Sequence, residues 1–215
     1  MSTVRSEYRL LERAVRYALS GAGHATTDLL GRPTPCPGWD LRTLLLHLGG
    51  SFDTVAGGLR TRVVGPDGRS SGTEGPAGAP SVPEQDGELV AGLAGRAARL
   101  LWACAGTRGG EDVVNVGDRR LTASVVAITG AIEVAVHGWD IFISCGDDQP
   151  VPSRLATELL PYAALLVPRH TRPGLFADPV LVPRRTSAGD RLVAFLGRRP
   201  TGIMSRAGEP GPPGR

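Results

Sequence analysis

Apolar residues recur along this chain at helical spacing. Between Glu7 and about Ala22 they fall at Leu10, Leu11, Val15, Tyr17 and Leu19, one stripe of an amphipathic helix that Gly21 and Gly23 would end. A second stripe, Leu41, Leu44, Leu45 and Leu48, follows Asp40, whose side chain suits an N-cap, and runs to about Gly57. The period resumes from Gly87 to Ala105 through Leu89, Val90, Leu93, Ala97, Leu100 and Leu101. Thr122 to about Ser144 reads as a long apolar helix, the stretch to about Val167 as another capped by Ser153, and Asp190 to Leu196 as a last short one. Four or five helices, each with one apolar face, predict an all-α antiparallel bundle over residues 1–168.

The segments between the stripes read differently. Residues 63–86 hold five Gly and four Pro in 24 positions, a density that predicts a mobile loop. Residues 112–121 predict a short extended excursion turning at Gly117 and Asp118. Residues 169–205 predict a mostly irregular C-terminal extension packed on the bundle, and 206–215 a disordered tail. Nothing in the pattern alternates strand and helix as a parallel sheet would.

Composition narrows the chemistry. All 24 basic residues are arginine, against 21 acidic ones, and there is no lysine. Schiff-base catalysis and lysine-bearing phosphate loops are therefore excluded. With a single Asn (Asn115) and much Ala, Gly and Pro, the bias is that of a GC-rich genome. The arginines are scattered rather than gathered on one face, so no nucleic-acid partner is expected. Cys36, Cys104 and Cys145 are odd in number and far apart, which fits a reducing cytoplasm and no disulfide framework. No run of 18 apolar residues appears, so no membrane span is expected. A homodimer along apolar faces is compatible with the sequence, although no residue requires it.

The histidines carry the chemistry. His47 interrupts LLLHL, and His137 interrupts AIEVAVHGW with Glu133 four residues before it. An i, i+4 pair projects from one helix face. With a histidine from a neighbouring helix it would make a His₂Glu set, which leaves a position open for water or substrate. The same spacing equally suits a Glu–His pair hydrogen-bonded inside the bundle, with His47 a satisfied core histidine. Asp140, after His137, suits either an outer carboxylate that orients that imidazole or a plain capping role. Trp39 and Trp139 are expected to pack at helix ends, Cys36 to fill a tight Pro-Cys-Pro loop, and His24 and His170 to be solvated. Arg191, or the pair Arg198 and Arg199, offers a guanidinium to an anionic substrate.

The stretches TPCPGWDLRTLLLHLGG (34–50) and EVAVHGWDI (133–141), with PGLFADPVLVP (173–183) and DRLVAFLGRRP (190–200) in order behind them, resemble an actinobacterial subgroup of the mycothiol-dependent maleylpyruvate isomerase family, within the DinB-like superfamily. The resemblance implies a DinB-like four-helix bundle with metal ligands on His47, Glu133 and His137. It implies a divalent metal, most often zinc, and mycothiol or a related thiol as cosubstrate. The expected activity is thiol transfer to a small electrophile, or its isomerisation. The chain is short and shows no separate C-terminal α/β domain, so maleylpyruvate itself is not carried across. Two other readings use the same fold: a tailoring enzyme of specialised metabolism (isomerase, cyclase or hydrolase) acting without thiol, and a non-catalytic module that binds a metal or ligand.

Overall fold

Helices form where the stripes predict them, with ends within a few residues of those the pattern gives. The computed structural model describes residues 4–65, 86–107, 111–172 and 176–200. In chain order the elements are α1 (Val4–Ala22), α2 (Leu41–Thr61), β1 (Val63–Val64), α3 (Asp86–Gly106), β2 (Val113–Val116), β3 (Arg119–Thr122), α4 (Ala123–Cys145), α5 (Ser153–Leu166) and α6 (Ala188–Phe195), with short 3₁₀ turns at Thr27–Leu29 and Arg169–Thr171. The protein is mostly helical rather than all-α. The chain divides into two compact units between Gln149 and Pro150. The bundle expected over 1–168 stops short of α5, which packs with α6 in the second unit.

In the first unit α1 packs on α4, α4 on α2, α2 on α3, and α3 on α1. The α2 stripe supplies Leu41, Leu44, Leu45, Leu48 and Phe52, all essentially without solvent exposure. Burying side chains of this kind stabilises by about 1.5–3 kcal/mol each. By length and composition α3 and α4 could cross a bilayer, against the expectation of no such helix; 83% of the α4 stretch is buried inside the protein.

The small sheet corrects the sequence reading. Val63 and Val64, read as the start of a loop, pair in parallel with Asn115 and Val116. The turn is made possible by Arg62, which caps α2 in the left-handed region at φ 63°. The excursion at 112–121 is a β2–β3 hairpin, with Val116 opposite Arg119 and Gly117 at φ 57°. The rest of the predicted loop (66–85) and the tail at 206–215 lie outside the described residues.

Among the described residues, three side-chain caps set helix starts. Asp40 accepts the Thr43 N–H at 2.8 Å, Thr122 that of Val125 at 3.4 Å, and Ser187 that of Asp190 at 3.1 Å. Ser153, predicted as a cap, is the first helical residue of α5; Pro152 takes the cap position and accepts nothing through its side chain. In the second unit Arg172 is buried, donates to the carbonyls of Ala177 and Phe195 at 2.8 Å, and lies 4.7 Å over the Phe195 ring.

Asp40→Ala is expected to cost about 1 kcal/mol at neutral pH, read as a shift in the urea midpoint. Hydrogen bonds from the Thr43 side chain and backbone hold the Asp40 carboxyl below its usual value. A carboxyl depressed in the folded state stabilises above its unfolded pKa of about 4 and loses that stabilisation as the pH falls through the folded value. The gap between wild type and variant therefore narrows below about pH 4. A gap unchanged in acid would mean that the charged cap contributes nothing.

Candidate functional site

Two helices and one loop build the site. On α2, Leu44 and Leu48 face the core, which sets His47 on the flank of the stripe with its side chain 38% exposed. Ser51 follows one turn later on the same flank. On α4, Glu133 and His137 are likewise one turn apart. Packing α2 on α4 closes the gap: His47 Nε2 lies 3.2 Å from Glu133 Oε1, and the Ser51 hydroxyl donates to the same oxygen at 2.5 Å. The rings of His47 and His137 are 5.0 Å apart, edge to face. The ligand-competent atoms of His47, Glu133 and His137 all lie within 4.8 Å of one another.

Burial alone would push the Glu133 carboxyl up. Hydrogen bonds from His47 and Ser51, and the nearby charges of His137 and His47, outweigh it and hold the group below the usual glutamate range. The carboxylate is thereby kept ionised in a mostly apolar stretch of helix.

His137 is held from its other side. Its Nδ1 lies 3.0 Å from Asp140 Oδ2, and Asp140 has no solvent exposure. With Nδ1–H donated to that oxygen, Nε2 is the ring nitrogen left to act as a ligand, an assignment that follows from the hydrogen-bond network.

The loop before α2 completes the wall. The Thr34 hydroxyl hydrogen-bonds within the turn to the carbonyls of Cys36 and Trp39, Pro33 bridges to Asp40, and Gly38 sits at φ 79°, where a side chain would be strained. The turn brings Cys36 inward: its thiol donates to Asp140 Oδ2 at 3.3 Å and lies 3.9 Å from His137 Nδ1. It also lays the Trp39 ring 4.7 Å from His47 and 6.2 Å from His137.

The structure thus brings together His47, Glu133, His137 and Asp140. Arg191 is an exposed residue of α6, in the second unit, whereas these four lie in the first. Trp39 and Cys36, read from sequence as packing residues, both face the histidines. Trp139 is a packing residue as expected, but it lies inside α4 and in the core rather than at a helix end, 2% exposed. His24 is not simply solvated: its Nδ1 lies 3.5 Å from Asp147 and its ring packs on Phe142. Ser51 went unread, although its place four residues after His47 puts it on the same helix face. Elsewhere, burial pushes the Cys104 thiol up to about 12, so it is no candidate nucleophile at neutral pH.

The family model for the mycothiol maleylpyruvate isomerase N-terminal domain matches residues 11–142. That span contains every residue of the site. The uncharacterized protein Rv0738 of Mycobacterium tuberculosis (strain ATCC 25618 / H37Rv) is 31% identical over 174 residues, covering 80% of this chain and 86% of its own length. The uncharacterized protein MT0763 of Mycobacterium tuberculosis (strain CDC 1551 / Oshkosh) matches over the same extent and identity. No solved structure matches the chain significantly.

Proposed function

The chain belongs to the mycothiol maleylpyruvate isomerase N-terminal domain family, and on that premise we propose that it binds one divalent metal and uses it to activate a low-molecular-weight thiol, mycothiol or a close relative. The activated sulfur serves transfer to a small electrophile, or its isomerisation. The helices α1–α4 are then the DinB-like bundle that presents the site.

The observation that carries this reading is the convergence of three donors from two helices, His47, Glu133 and His137, within 4.8 Å. The donor set fits the metal. Two imidazoles and one carboxylate suit zinc, and three protein ligands leave a position for an exogenous group. The 3.2 Å between His47 Nε2 and Glu133 Oε1 is a separation that two ligands ~2.0–2.1 Å from one ion can span. When bound, such an ion supplies a centre at which a thiol is held deprotonated. The residues around it do the rest. Ser51 fixes the Glu133 carboxylate, Asp140 fixes the ring orientation of His137, and Trp39 covers the two imidazoles on the loop side. With no lysine in the chain, charge on a bound organic anion is met by arginine or the metal alone.

Calorimetric titration with mycothiol checks the reading. Binding is expected with zinc-loaded protein and is expected to vanish after chelation. Equal binding to loaded and metal-free protein would overturn it.

A further inference from the structure

Asp140 is a carboxylate with no solvent exposure, and burying such a group is costly unless it is hydrogen-bonded. One of its oxygens, Oδ2, accepts from two directions. His137 Nδ1 lies 3.0 Å away and Cys36 Sγ 3.3 Å away. A carboxylate offers only acceptor sites, so the hydrogen in the second contact belongs to the sulfur. Cys36 is itself 9% exposed and held in a turn closed by Thr34 and the Pro33–Asp40 bridge. The side chain is thus confined between its own turn and α4 rather than free to rotate on the surface.

Given the metal reading above, we infer that Cys36 is a positioning residue: its S–H group pins Asp140, and Asp140 in turn holds His137 as the Nδ1–H tautomer, with Nε2 presented to the ligand set. Carboxylates that orient a metal-bound histidine this way typically contribute 10–100-fold to metal affinity. The Pro-Cys-Pro-Gly-Trp turn is then one device with two contacts. Trp39 lies against the imidazoles, and Cys36 braces the carboxylate behind one of them. The thiol is neither a metal ligand nor the reacting sulfur, although Cys36, His137 and Asp140 also lie close enough together to hold an ion.

The test compares wild type with Cys36→Ala and Cys36→Ser in two measurements. Nitrogen-15 NMR of metal-free protein reports the His137 tautomer. Nδ1–H is expected in wild type and Cys36→Ser, whose hydroxyl is also a donor, and a tautomer mixture in Cys36→Ala. Cobalt(II) titration is expected to show affinity lowered up to about 10-fold in Cys36→Ala, the low end for loss of a histidine's own carboxylate partner, and largely restored in Cys36→Ser. No sulfur-to-cobalt charge-transfer band is expected in wild type. A thiolate band, or two cobalt ions per chain with Cys36 ligating, overturns the inference by making Cys36 a ligand. So does a Cys36→Ala protein indistinguishable from wild type, or a serine variant no better than alanine. If wild type binds no cobalt the metal reading fails, while the tautomer measurement still decides the role of Cys36.

Discussion

Replacing Glu133 with alanine is expected to abolish stoichiometric metal binding. Wild-type protein prepared without chelator should carry close to one divalent ion per chain, and Glu133→Ala and His47→Ala less than about a tenth of that, since losing even an outer-sphere partner costs about 10–100-fold and the proposal makes these two residues direct ligands. Glu133 is the most informative of the three. Its Oε1 lies 3.2 Å from His47 Nε2 and accepts from the Ser51 hydroxyl at 2.5 Å. A Glu–His–Ser hydrogen-bond cluster with no metal would explain that geometry as well, and the two cases separate by linkage. An ion that binds only the folded state stabilises it by RT ln(1 + [L]/Kd), about 2.7 kcal/mol at a hundredfold excess over Kd. Added zinc should therefore raise the melting temperature of wild type and leave Glu133→Ala where it is. If all three proteins hold equal metal, or if zinc stabilises none of them, His47, Glu133 and His137 are a structural cluster.

Much of this site could be read from sequence because it sits on strong helices. Glu133 and His137 are one turn apart in an unbroken apolar run, and His47 is tied to the Leu44 and Leu48 stripe, so each side-chain direction follows from the period. What escaped depends on contacts far apart along the chain. Val63 and Val64 are too short a run to show alternation; they become a strand only because Asn115 and Val116, some fifty residues on, offer an edge. Cys36 and Trp39 belong to a turn whose local sequence announces rigidity but not what the turn faces. Their direction is decided where α4 passes behind the loop. The place of α5 was missed for a similar reason: a helix with one apolar stripe does not say which neighbour it covers.

The seam between α1 and α4 gives the largest expected effect on stability. A Cβ added at Gly138 would stand 2.9 Å from Tyr17 Cδ1, 3.0 Å from Ala18 Cα and 3.1 Å from Ala18 Cβ. Two of these neighbours cannot give way cheaply. Ala18 Cα is helix backbone of α1, and the Tyr17 ring is buried and anchored by its hydroxyl, which donates to the Gln149 carbonyl at 2.7 Å. Two opposed magnitudes decide the sign. Glycine to alanine inside a helix gains up to about 1 kcal/mol in propensity, whereas overpacking a fitted core costs about 1–3 kcal/mol. Gly138→Ala should therefore come out net destabilising. Gly138→Leu, which must drive α1 and α4 apart, should cost about 3 kcal/mol or more and lower the melting temperature by roughly 6–12 °C for a chain of this size. Gly50 is the internal control. It lies in α2, exposed, and its added Cβ meets nothing within 4 Å. Gly50→Ala should therefore show the propensity gain alone and melt higher than wild type. Opposite signs at the two glycines are the expected result. Melting temperatures that rise together would mean that α1 and α4 are not in close contact at Gly138.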